Sequence, residues 1–247
     1  MKAVKKDNSS RAGKNGEFLE CERKWVYFCL IAAAGWFGAY TFLFRGGVFC
    51  NAQTANIVLF AMAVGKGDVK GALYLLIPIS AYFAGAFFSE YMGKSVKRLH
   101  FLRWDTILVG AETVAVVIIG LLPKSVPDQV CQIALNFICS MQFNTFRQSE
   151  GTPSATTFVT NHIRQVGSNL AGYIRHRDAV SAGKVRTHGA MIFFFFAGGA
   201  AGTVCGGIAG LPSLCGSALI LLAVFIRLAY ADRSYERNML ERVPRGH

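Results

Sequence analysis

The chain has 247 residues, 53% of them hydrophobic and only 16% charged, with a formal charge of +12. A soluble domain carries about 25% charged residues, and the charges here cluster, leaving long stretches with almost none. That pattern excludes an ordinary water-soluble fold and points to a bilayer, which solvates neither charge nor free backbone amides. The positive charge lies in the tails and in two loops between apolar segments, so no nucleic acid partner is expected. Basic loops mark the cytoplasmic side of a membrane protein and are drawn to its anionic leaflet.

Residues 1–23 are polar and read as a disordered cytoplasmic tail without a cleavable signal. A first span runs from about Lys24 to Phe44, near the ~20 residues a bilayer requires. Further spans follow at about Gly71–Met92, Thr106–Leu122, Val130–Phe146, Thr187–Gly210 and Leu214–Ala231, with Pro123, Pro127 and Pro212 marking turns between them. Residues 232–247 form a second cytoplasmic tail. The expected organisation is one transmembrane domain over 24–231, with halves at about 24–122 and 128–231. Two segments do not suit a lipid-exposed span. Asn51–Gly65 is apolar but short, and Ser154–Tyr173 is longer and polar. Both read as re-entrant or broken helices, which are tolerated where protein or a wet cavity surrounds them.

Six spans and two re-entrant segments put the N-terminal tail, the 93–103 loop, the 175–186 loop and the C-terminal tail on one side. Arg45, Lys66, Lys70 and Lys124 fall on the other. The expectation is a multi-pass protein of the cytoplasmic membrane with both termini in the cytoplasm. Two stretches repeat: Asn51-Ala-Gln-Thr54-Ala-Asn56-Ile57 lies over Thr157-Phe-Val-Thr160-Asn-His162-Ile163, and Phe83-Ala-Gly85 over Phe196-Ala-Gly198. Three spans per half is odd, so the second half enters upside down. The fold class expected is therefore an all-α polytopic membrane protein with an inverted 3+3 repeat, an arrangement recurrent in transporters.

Three features resemble the YoaK-like membrane proteins, a family carrying a domain of unknown function. They are Gly46-Gly47 through Asn51-Ala-Gln-Thr54-Ala-Asn56 with Gly65-Lys-Gly67-Asp68, the run from Met141-Gln142 to Arg147, and Thr156-Thr157-Phe-Val-Thr160. The resemblance covers about residues 25–232 and implies the fold; no activity comes with it. The family pattern resembles T-G-N in both halves. Here Ala55 stands in place of the first Gly, Asn161-His162 in place of Gly-Asn, and Phe143 in place of Asn.

Glu112 lies inside the Thr106–Leu122 span, where a carboxylate is costly unless paired, protonated or hydrated. It reads either as a proton or cation coupling site or as a structural partner of Arg164, His162 or a backbone group. Asn51, Gln53, Thr54 and Asn56 cluster in one short segment, and Thr156, Thr157, Thr160, Asn161 and His162 in the other. Together with Gln142 they form a candidate site for a small polar or anionic solute, helped by the exposed N–H groups of helix ends. The alternative is that these groups only satisfy the broken backbone. Arg164 can clamp an anion or snorkel to the interface. His162 can titrate near neutrality or serve as an ordinary hydrogen-bonding residue. Gln142, Asn144 and Arg147 end the Val130–Phe146 span and Asn136 sits within it; they line an inner mouth or cap the helix.

Gly198, Gly202, Gly206 and Gly210 form a small-residue stripe that packs against either an internal helix or a second copy in a homodimer. The seven cysteines include no C-x-x-C pair and read as reduced packing residues. There is no P-loop, zincin or nucleophile-elbow motif. No cofactor or metal is expected, and the protein is expected not to be an enzyme; its partners are membrane lipids and an unidentified solute. The leading reading is a secondary transporter or permease. A passive channel and a non-transporting scaffold or sensor are the alternatives.

Overall fold

The computed structural model describes residues 18–95, 98–99 and 102–245. It contains eight α-helices: α1 (Lys24–Phe44), α2 (Gln53–Gly65), α3 (Val69–Ser95), α4 (Trp104–Leu121), α5 (Asp128–Thr145), α6 (Thr160–His176), α7 (Ala179–Ala209) and α8 (Leu214–Arg233). The only described strands form two two-residue antiparallel hairpins, Arg98–Leu99 with Leu102–Arg103 and Gln148–Ser149 with Thr152–Pro153. The protein is thus an all-α polytopic membrane protein.

Helices α1, α3, α4, α7 and α8 are long and apolar enough to cross a membrane. Their outward residues include Phe83, Phe87, Phe193, Phe196, Ile208 and Leu219, each at least 61% exposed. A soluble surface does not carry such an apolar belt. The expected sixth span, α5, is long enough at about 27 Å but too polar to rank with the five. Gln132, Asn136, Ser140 and Gln142 are all fully buried along it. Its polar groups face protein, because α5 packs along α3 and also touches α1 and α4.

Close approaches fix the helix directions. Ala32, Trp36 and Phe44 of α1 meet Gly198, Gly202 and Gly206 of α7 in that order, so these helices run parallel. Tyr74, Gly85 and Ser89 of α3 meet Gln132, Phe137 and Thr145 of α5, again in parallel. Thr106, Gly110 and Gly120 of α4 meet Asp232, Phe225 and Cys215 of α8, so this pair is antiparallel. One end of the bundle therefore gathers the starts of α1, α4 and α7 and the finishes of α3, α5 and α8. The glycine stripe is filled from within the chain: a Cβ on Gly198 would collide with the Ala32 carbonyl, and one on Gly202 with the Trp36 indole. Gly210 adopts φ 63° and caps α7.

Both odd segments turn back inside the bundle. From the far end of α1 the chain turns back until Asn51 reaches Ala34, mid-way along α1; α2 then returns to that far end and α3 begins. From the termini end of α5 the chain turns back until Thr156 lies against Gln142. Helix α6 then returns to the termini end, where Asp178 caps α7. Neither tail is wholly free. Residues 1–17 lie outside the described residues, but residues 18–23 and 232–245 pack on the termini end. Leu19, Glu20, Glu22, Asp232, Glu236 and Leu240 are buried there. Paired acidic groups inside two polar stretches are why composition reads them as tails.

Candidate functional site

Helix α5 forms the axis of the candidate site, because both breaks lean on it. Gln53 Nε2 donates to Asn136 Oδ1 at 2.7 Å from one side. Gln142 Nε2 donates to Thr156 O at 3.2 Å from the other and to Leu30 O at 3.4 Å. Asn136 and Gln142 are six residues apart, about 9 Å along a helix. Between them Cys139 Sγ lies 3.6 Å from Cys50 Sγ in the first break. Tyr82 of α3 reaches toward Thr157, Cys139 and Cys50, closing the ring between the two segments.

The local folding follows from the residue types. Asn51 Nδ2 donates to Ala34 O at 2.9 Å, and Gly38 leaves the room its side chain needs. Cys50 N donates to Thr41 Oγ1, so α1 supplies a partner for the non-helical backbone. Asn56 then closes the turn by bonding both N and O of Phe49.

Several buried polar atoms at this centre have no hydrogen-bond partner: both carboxylate oxygens of Glu112, Ser140 Oγ, Gln142 Oε1 and Thr156 Oγ1. Native interiors leave few such groups, and each calls for an explanation. Glu112 is 1% exposed and interacts electrostatically with Cys139. It is not the partner of Arg164 or His162. Arg164 is exposed and donates to Asn161 Oδ1 at 2.9 Å. His162 bonds His188 and Ala155 O, each at 2.8 Å.

The sequence-predicted residues therefore divide. Asn51, Gln53, Asn56, Gln142, Thr156 and Thr157 come together about α5, and Glu112 joins them through Cys139. Thr54 and Thr160 are exposed on the outside, as is Arg164, with half-buried Asn161 bonded to it. These four do not line the centre, because their positions around α2 and α6 turn them away from it. Sequence reasoning passed over Tyr82, Ser140, the cysteine pair and His188. The available signal for His188 was a histidine inside the otherwise apolar Thr187–Gly210 span.

Ion pairs lie at both ends of the bundle. At the far end Arg45, fully buried, bonds Tyr40 Oη and Leu122 O and lies 3.6 Å from Asp128, while its carbonyl accepts from Gln132. At the termini end Arg147 pairs with Glu90, and Arg103 with Asp232 and Glu236. A cavity of about 240 Å³ opens there beside Ser89, Trp104 and Thr145, bordered by Leu240–Pro244. Among the described residues no three metal-ligating side chains come together.

A family model described as a protein of unknown function (DUF1275) matches residues 26–227. No curated protein matches the chain, and no solved structure does.

Proposed function

The chain belongs to the DUF1275 family, and from that premise we propose that it is a secondary transporter or permease for a small polar solute. The observation that carries this reading is the set of unpartnered buried polar groups where the two re-entrant segments meet. Transporters bind at such junctions of broken helices, and a solute or water would satisfy Ser140, Gln142 and Thr156.

The helix contacts support an inverted repeat. Exchanging the halves maps α1 on α7 onto α5 on α3, and α2 on α3 onto α6 on α7, while α4 on α8 maps onto itself. The matching Phe-Ala-Gly runs fall at equivalent crossings: a Cβ on Gly198 would strike the Ala32 carbonyl of α1, and one on Gly85 the Phe137 carbonyl of α5. The ion pairs at the two ends favour alternating access over an open channel.

Glu112 is the coupling residue in this reading, carrying a proton or a cation. With Arg164 outside, the centre holds no cation of its own for an anionic solute, so a neutral or cationic solute suits it better. Orientation follows from charge. The termini end carries Arg147, Arg175, Arg177, Lys184 and Arg186, against Arg45, Lys66, Lys70 and Lys124 at the far end. By the positive-inside rule this bias supports a cytoplasmic location for the termini.

The test is a thermal-shift screen of the purified full chain against metabolites across pH, followed by uptake into proteoliposomes. A solute that binds the folded state raises its apparent stability. Thr157→Ala should abolish a genuine hit, and Glu112→Gln should make uptake indifferent to the proton gradient. Non-saturating uptake would replace the transporter with a channel. A folded protein that neither binds nor moves any solute would overturn both.

A further inference from the structure

The two re-entrant segments are tied back by the same device with different chemistry. In the first, Asn56 bonds the backbone of Phe49, seven residues earlier. In the second, His162 Nε2 bonds the carbonyl of Ala155, also seven residues earlier. Asn56 and His162 are both fully buried, and the repeated stretches place them at the same position. An amide holds its break at any pH. An imidazole does not.

His162 is also linked to α7. Its Nδ1 lies 2.8 Å from Nδ1 of His188, which is itself 1% exposed. The bonds dictate the tautomers. A carbonyl only accepts, so Nε2 of His162 carries the hydrogen. In the neutral ring Nδ1 is then bare and accepts, so Nδ1 of His188 donates. This leaves Nε2 of His188 as the nitrogen that can take a proton while both hydrogen bonds persist. A second proton would need to enter between the two Nδ1 atoms. It would set two donors face to face and part the rings.

The charged groups that reach the pair are Lys184 on α7 and Arg164 on α6. Both are cations, and the incoming loop at Ala155–Thr157 brings no charge. Nothing in these surroundings offsets added positive charge, so protonation works against the contact between α6 and α7.

We propose that His162 and His188 together form a proton-binding site that makes the hold of the second re-entrant segment on α7 depend on pH, while the first segment, tied by Asn56, stays pH-independent. This goes beyond the transport reading and does not depend on it, since it concerns the folded chain with no solute present.

Nitrogen-15 NMR of histidine-labelled full-length protein in nanodiscs tests it directly, with His162→Asn and His188→Leu assigning the signals. At pH 8 the expected spectrum has one ring with hydrogen on Nε2 and the other with hydrogen on Nδ1. Both should shift together, below the ordinary imidazole range, as the pH is lowered to about 3. In His162→Asn, which copies the tether of the first half, the His188 signal should titrate with a displaced midpoint. Two rings that titrate independently, or that titrate together at the ordinary imidazole value, would overturn the proposal. Thermal unfolding gives the second measurement. The wild type should lose more of its unfolding temperature between pH 7.5 and 5 than His162→Asn/His188→Leu. Equal slopes in the two folded proteins would count against the site. If the double variant does not fold, His162→Asn alone serves for the same comparison.

Discussion

Asp178 shows how one side chain sets the start of a long element. Its Oδ1 accepts from Ser181 N at 2.7 Å and so fills an orphan donor at the first turn of α7. The backbone N–H and then the hydroxyl of Ser181 hold the Asp178 carboxyl below the usual carboxylate range. A depressed acid stabilises the fold fully above the unfolded value of about 4, and the benefit is lost as pH falls through the lower folded value. Asp178→Ala should therefore lower the unfolding temperature at pH 7 and show a smaller loss on acidification than the wild type. Asp178→Asn should keep the cap, since Asn serves that position well, while removing its acid dependence. Unfolding curves between pH 7 and 3 check both, and an Asp178→Ala variant indistinguishable from the wild type throughout would refute the role. At this scale the sequence was a partial guide to the centre. Asn51, Gln53 and Thr157 could be read from their place in a polar break. Thr54 and Thr160 could not be separated from them, because the rotation that turns them outward depends on where each helix starts. His188 gains its meaning only from a ring 26 positions earlier.

Two glycines set the distance between helix pairs. A Cβ on Gly198 would overlap the Ala32 carbonyl, and one on Gly85 the Phe137 carbonyl, both backbone atoms that cannot swing aside. Gly207, on the same helix as Gly198, has open space around it. Gly198→Ala and Gly85→Ala should each destabilise the protein by about 1–3 kcal/mol through overpacking. Gly207→Ala should be neutral or stabilise by about 0.5–1 kcal/mol, as Ala outranks Gly inside a helix. Thermal unfolding in one detergent ranks the three, and equal tolerance at all positions would refute the close crossings. The glycine spacing and the paired Phe-Ala-Gly runs made these contacts legible, since small residues every four positions form a packing face. Helix α5 was legible as an element but not as the centre. Hydropathy averages over all faces of a helix, so it cannot reveal that Gln132, Asn136, Ser140 and Gln142 of α5 all point into protein.

The two ends of the chain join the whole bundle together. Glu20 N donates to Glu236 Oε1 at 2.6 Å, Tyr235 Oη donates to Glu20 at 2.9 Å, and Arg245 N donates to Glu22 Oε1 at 2.7 Å. Composition alone reads these stretches as solvated tails, because nothing local to either shows that the other will neutralise it. Arg103, at the start of α4, holds the assembly. It is 2% exposed, lies 3.5 Å from Asp232 and 3.3 Å from Glu236, and donates to Met239 O. Removing one member of a buried pair leaves the other charge uncompensated, at a cost of about 3–5 kcal/mol. Arg103→Met should show that loss at neutral pH. Burial pushes the Glu236 carboxyl above the usual range, and Arg103 pulls it back down. Without Arg103 the carboxyl rises further, so the folded state binds the proton more tightly than the unfolded chain does. Stability then falls as pH rises through that window and recovers as pH is lowered. The deficit of Arg103→Met relative to wild type should therefore shrink between pH 7 and pH 5. Unfolding curves at the two pH values measure it. A deficit that is absent, or the same at both, would mean that Arg103 packs the termini end without neutralising it.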